Sequence, residues 1–373
     1  MLIKAMPVIL SFSVYIFFYL DTNPNFVYLL IITSYFIGAL LVSSFIRKED
    51  PSKGALIMGL GIVSLGPVHT VNLAQEPEIV PFLLIGLWLQ ISMSYIKNFN
   101  KWSFQDANHT FLHGTWVAAT SVVGVSVLFY YPQEPFVSKL IAVLAAFLWA
   151  GYAVLSIYTF QKLIFSKIDL ERIHGGILLT VVATQSVVIV MEWTFDLLKT
   201  AELILISIGI LFYLGSIGVL IIRYARNTWT IVDDWKNTNC IVHGALSITG
   251  VAWLNIGASS SSLGIYWLLV FIVFLIIELM ELYRASQRIK HLGISQGIYV
   301  YHPSQWARIF TFGMFYYFTT ICKPLIPVND GYLTVVDASL LILGPVIILL
   351  TIIQLLIMGY PILMKATEKA PGN

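Results

Sequence analysis

The chain has 373 residues, of which 58% are hydrophobic and only 11% charged. Soluble domains carry about 25% charged residues, so the composition excludes an ordinary soluble protein and points to a membrane-embedded one. The net charge of +2 comes with no basic tract, so no nucleic-acid partner is expected.

A bilayer core about 30 Å thick needs roughly 20 apolar residues per helix. In chain order that rule predicts about twelve spans: 6–20, 26–46, 55–74, 79–97, 109–130, 138–163, 174–194, 202–224, 240–258, 264–283, 305–323 and 336–364. The first is short and follows Lys4. It reads as an uncleaved helix, because DTNPN and no small-residue cleavage site comes after it. The connections are short and hold no soluble domain.

Orientation follows from the basic residues. Of the 21 Lys and Arg residues, all but Lys139, Lys199 and Lys323 fall in one set of alternate loops. Cytoplasmic loops carry the Lys/Arg excess, so both termini are expected in the cytoplasm. Cys240 and Cys322 then sit at opposite membrane faces, too far apart for a disulfide.

The spans repeat. His113-Gly114, His174-Gly175 and His243-Gly244 open three apolar helices at intervals of 61 and 69 residues. The same phase runs back to Lys53-Gly54 and forward to the helix near Gln305. A fixed period means that each unit needs its neighbours to bury a face. Here the unit is an antiparallel helix pair, and five pairs around an axis would enclose a pathway.

Alternate helices differ in character. Those starting in the repeat phase hold Gly, Ser and Thr, including Ser64, Thr120, Thr184, Gln185, Ser247, Thr311 and Gly313. The others are mostly Leu, Ile, Val and Phe, as in IYWLLVFIVFLII. The small polar set is read as pore-lining, with tight helix packing as the competing explanation. His113, His174 and His243 stand near the cytoplasmic starts of the same helices. Two readings are open for them: interfacial helix-entry residues, or an inner-mouth ring whose protonation would concentrate anions in mild acid.

Other chemistry is scarce. Glu278 and Glu281 lie in an apolar helix, where an ionisable group is a functional candidate. Glu281 reads as an ion pair with Arg284, and Glu278 as a partner across a helix interface. His109 and His113, spaced i, i+4, leave a haem or metal reading open. The sequence has no Gly-rich phosphate loop, nucleophile elbow or paired catalytic carboxylates, so an enzyme is the weaker class and no cofactor is expected.

Three stretches, GALIMGLGIVSLG, GGILLTVVATQSVVIV and WARIFTFGMFYYFTT, resemble the tellurite-resistance/dicarboxylate transporter family, which includes the plant slow-type anion channels. The likeness covers roughly residues 55–365. It implies ten helices as five hairpins around a central pore, assembly as homotrimers, and passage of anions such as chloride, nitrate, malate or sulfite. Together with the span reading, it divides the chain into an N-terminal transmembrane hairpin (1–50), a pore domain of the family's type (51–365) and a short cytoplasmic tail (366–373). The family's pore is closed by a phenylalanine on the ninth core helix. The matching position is Phe312, with Phe310 as the alternative register. Many relatives have a proline beside that residue where this chain has Thr311 and Gly313, and the first two helices are additional. The expected protein is thus an all-α anion channel or transporter in a plasma or bacterial inner membrane, surrounded by lipid. A proton-coupled dicarboxylate or sulfite carrier on the same fold is the rival reading. A haem- or metal-binding membrane enzyme is the rival from another class.

Overall fold

The computed structural model describes residues 51–70, 79–98, 106–133, 135–165, 170–257, 260–326 and 330–368. The expected spans 6–20 and 26–46 lie outside them, as do residues 71–74 and 258 at the ends of two others. The described chain is all helical. Helix α1 (Gly54–Val63) continues into a π turn at Ser64–Val68; next in chain order among the described residues are α2 (Ile79–Asn98) and the short α3 (Ala107–Leu112). There follow α4 (Gly114–Tyr130), α5 (Pro135–Phe165), α6 (Leu179–Phe195) and α7 (Lys199–Arg226). The last four are α8 (Ile241–Asn255), α9 (Ser260–Ile298), α10 (Gln305–Cys322) and α11 (Asp330–Glu368).

Five of these helices close a ring. α1 packs on α4, α4 on α6, α6 on α8, α8 on α10, and α10 returns to α1. Each remaining long helix fills the groove between two successive ring members: α2 between α1 and α4, α5 between α4 and α6, and so on to α11 between α10 and α1. The two layers differ in burial. Of the most apolar stretch of each helix, 89% is buried in the α3–α4 and α6 segments, against 22% to 33% in α5, α7, α9 and α11. Outer side chains such as Phe147, Leu211, Ile265 and Leu341 are exposed. That surface would be costly in water and is at home in hydrocarbon.

The repeated glycines are the contact points of the ring. A Cβ on Gly54 would stand 2.5 Å from the Thr115 carbonyl oxygen, and one on Gly114 2.9 Å from that of Leu179. Gly175 meets the Thr238 carbonyl and Gly244 the Thr311 side chain more closely still. Without a side chain at these positions, the backbones of neighbouring ring helices come together. The period read from the sequence is therefore a packing period.

A second repeated contact binds the layers. Trp88 of α2 donates its indole N–H to Thr120 of α4 at 3.0 Å, and Trp149 of α5 to Thr184 of α6 at 3.0 Å. Trp267 of α9 does the same to Thr319 of α10 at 2.9 Å. A buried indole needs an acceptor, and in each case a ring threonine supplies it.

The ends of several segments depart from expectation for local reasons. The expected span 109–130 breaks at His113, between α3 and α4. The third ring segment begins as a 3-10 turn at Gly175, with His174 outside it as the cap that accepts the Gly176 N–H. In α1, Pro67 has no N–H to give, which widens the helix into the π turn; Tyr130 donates to the Ser64 carbonyl there at 3.0 Å. α9 runs well past 283. Its last turns are polar and bend at Gly293 (φ 75°), where Arg288 donates to the carbonyls of Gly297 and Gln296 at 3.1 and 3.3 Å.

Candidate functional site

The ring encloses a small axial cavity of about 10 Å³. Every ring helix reaches it: Met58 from α1, Thr115 from α4, Val182 from α6, Ile241 from α8 and Phe310 from α10. A cavity touched by all five members of a closed ring lies on its axis. It holds about one water molecule, so the axis is shut at this level. The Phe310 ring is 1% exposed and beside it Ala55 and Ala307 are the smallest lining groups.

The cavity adjoins a far larger vestibule of about 460 Å³, and Ser52, Leu112, Thr238 and Ser304 line both. The vestibule takes Lys236 from the turn before α8, Arg284 and Arg288 from α9, and Arg308 from α10; among the described residues Glu281 is the one carboxylate that lines it. Glu281 accepts the Trp235 indole N–H at 2.7 Å and pairs with Arg284 at 3.3 Å and with Arg308. Arg284 also donates to Asn237 at 2.6 Å. Among the described residues the vestibule therefore carries a positive excess, while Glu281 is fully engaged. Anions are drawn to such a cleft and cations repelled.

The ring hydroxyls expected to line the pore are not among those that line this cavity. Ser64 donates to the Gly61 carbonyl, Thr120 to Trp116, Thr184 to Thr180, Ser247 to His243 and Thr311 to Arg308, all at 2.7 to 3.0 Å. Each proton is thus spent on a carbonyl one turn earlier in the same helix. Thr120 and Thr184 additionally accept from Trp88 and Trp149, which directs them at the outer layer. Gln185 reaches outward to the Ile206 carbonyl of α7 at 3.3 Å. Thr311 packs on Gly244, and a Cβ on Gly313 would meet Ile62 at 2.6 Å. None of these seven residues is among those lining the axial cavity; the structure puts them in helix contacts.

The two phenylalanines separate in the same way. Phe310 lines the axial cavity. Phe312 points instead between α8 and α9, edge-on to Phe274 at 5.1 Å and to His243 at 6.1 Å. Two residues along a helix turn a side chain by roughly 200°, so one register faces the axis and the other the packed exterior of the ring.

The three histidines occupy three different settings. His113 meets the Tyr95 hydroxyl of α2 through Nδ1 at 2.7 Å. His243 is fully buried and its Nε2 lies 3.5 Å from Glu278 of α9, so Glu278 does reach across a helix interface. Only His174 lines the vestibule. Its Nδ1 accepts from Gly176 N–H at 3.1 Å and lies 2.8 Å from the Thr238 hydroxyl. Removal from bulk water, reinforced by the Arg223 and Lys236 cations, lowers its pKa to about 4. At mildly acid pH it is neutral, and the three do not form a ring around the mouth.

The sequence reading missed the apolar axial lining and the cations of the vestibule. The lining had a signal: Ala55 and Thr115 each follow a repeated glycine, and Met58 and Leu179 each stand four residues after one. Residues 51–357 match the family model described as the voltage-dependent anion channel, SLAC1. The chain belongs to this family. A search of curated proteins finds no match to it. Members of the voltage-dependent anion channel family are channels and transporters, so the chain is a multi-pass membrane protein of anion transport, as the resemblance to the slow-type channels implied.

Proposed function

We propose that the chain conducts small anions along the axis of the five-helix ring, from the basic vestibule past a gate at Phe310. The observation that carries the reading is the axial cavity itself, which all five ring helices touch and which adjoins a vestibule rich in Arg and Lys. The vestibule raises the local anion concentration. The cavity beyond it is lined by Ala, Val, Leu, Ile, Met, Phe, Ser and Thr side chains and, among the described residues, by no cation, which favours passage over capture. Phe310 closes the path, and the small Ala55 and Ala307 side chains give its ring space to swing.

The Lys/Arg bias supports a cytoplasmic vestibule with both termini inside, in a plasma or bacterial inner membrane. Chloride, nitrate, sulfite and malate-type dicarboxylates are the substrates considered, and the apolar outer helices suit lipid and the neighbouring copies of a homotrimer. One observation favours the coupled-carrier variant. The buried His243–Glu278 pair at 3.5 Å could exchange a proton, and flux through such a carrier would follow the proton gradient.

Planar bilayers holding the purified protein test the reading. With chloride, nitrate, sulfite and malate supplied in turn, the reversal potential should track the anion gradient. A reversal potential that tracks the cation gradient would refute it.

A further inference from the structure

The vestibule is far larger than a small permeant anion requires. Its volume is about 460 Å³, within the roughly 300–1,000 Å³ of small-molecule sites, whereas one water occupies about 30 Å³. Its charge is also in excess. Among the described lining residues, Lys236, Arg284, Arg288 and Arg308 face a single carboxylate, Glu281, which leaves three positive charges over. Glu281 is held by Arg284 and Arg308. Among the described residues, Lys236 and Arg288 bond only to backbone carbonyls, of Asp233 and of Gly297 and Gln296. Their charge is not cancelled.

The remaining wall is different in kind. Ile298 and Val300, just past the Gly293 bend, line the vestibule and are 41% and 46% exposed. A molecule that filled this space would need concentrated negative charge at one end and an apolar body at the other.

We infer that the vestibule is a binding site for linked phosphates, with Lys236, Arg288 and the outward edge of Arg308 as their partners. A terminal phosphate carries about −1.5 to −2, so two or three linked phosphates balance the excess, and a simple dicarboxylate falls short of it. Arginine forks match phosphate oxygens in pairs. The phosphates come either from a nucleotide, whose base would lie on Ile298 and Val300, or from free polyphosphate. Either is too large for the 10 Å³ throat beyond, so a bound molecule stands over the Phe310 gate and stops current. This last consequence rests on the proposed conduction path; the binding itself does not.

The test uses the full chain in lipid nanodiscs at physiological salt, with calorimetric titration of adenosine triphosphate, inorganic tripolyphosphate and adenosine. Both phosphate compounds should bind and adenosine should not. Tighter binding of the nucleotide assigns the site to nucleotides, and equal binding assigns it to free polyphosphate. Lys236→Gln, at an exposed position, and Lys236→Gln/Arg288→Gln should weaken binding in that order, by about tenfold for the double variant. No binding of either phosphate compound, or binding unchanged in both variants, overturns the inference. Binding that leaves bilayer current untouched keeps the site but removes the vestibule from the conduction path, which contradicts the functional reading and not this one.

Discussion

A methyl group added to Gly54 would stand 2.5 Å from the carbonyl oxygen of Thr115, on the neighbouring helix of the ring. The obstacle is backbone, which cannot rotate away. Gly54→Ala should therefore destabilise the protein by about 1–3 kcal/mol through overpacking, even though alanine is the better helix former by about 1 kcal/mol. Gly218→Ala on α7, where an added Cβ meets nothing within 4 Å, should leave stability level or raise it. Thermal melting of the two variants checks this, and similar melting points would remove the repeated glycines from the ring's architecture.

The indole of Trp149 and the hydroxyl of Thr184 form one of the three repeated bonds between the layers. Trp149→Phe and Thr184→Val should each cost about 0.5–1.5 kcal/mol, and the double variant should cost less than their sum. Anion selectivity should not change, because Thr184 faces the outer helix. A selectivity change in Thr184→Val would return that residue to the pore.

The architecture was legible in the chain because it rests on local patterns. Span length, Lys/Arg alternation and the X-Gly period each report a physical requirement of one segment, and the closed ring follows from repeating it. The lining of the axial cavity was obscured by a different pattern. Ser and Thr on apolar helices look like pore residues, but Thr120 and Thr184 accept the indole N–H of outer-layer tryptophans, while Met58, Val182 and Ile241 line the axial cavity. Rotation was the missing quantity. A period of about 60 residues fixes where helices begin and says nothing of which face turns inward, so Phe310 and Phe312 could not be told apart. The vestibule was hidden because Lys236, Arg284 and Arg308 come from three separate elements.

Glu281 is the acceptor that joins those elements, taking bonds from Trp235, Arg284 and Arg308. Glu281→Ala leaves two guanidinium groups without their shared carboxylate and should cost about 3–5 kcal/mol. Folded yield in detergent should drop, and Arg308→Gln added to Glu281→Gln should recover part of the loss. Undiminished yield for Glu281→Ala would mean that the node is loosely held.

His174 predicts a pH dependence with a definite sign. Its folded pKa of about 4 lies below the ordinary value of 6.5. The folded state therefore binds the proton less readily than the unfolded one. The stabilising contribution is complete above pH 6.5 and is lost progressively as pH falls through 4. His174→Asn should flatten the acid limb of a melting-point profile in that window. Acid stimulation of current near pH 6, if observed, should survive the substitution; its loss would show that His174 titrates in the vestibule.

The central claim is that anions cross along the axis of the ring and are stopped by Phe310. Paired bilayer recordings of Phe310→Ala and Phe312→Ala test it most directly. Phe310→Ala should raise basal anion conductance strongly with folded yield maintained. Phe312→Ala, which removes a ring packed against Phe274 and His243, should instead cost about 3–5 kcal/mol and lower the folded yield. Open channels from Phe312→Ala with a silent Phe310→Ala would contradict the account.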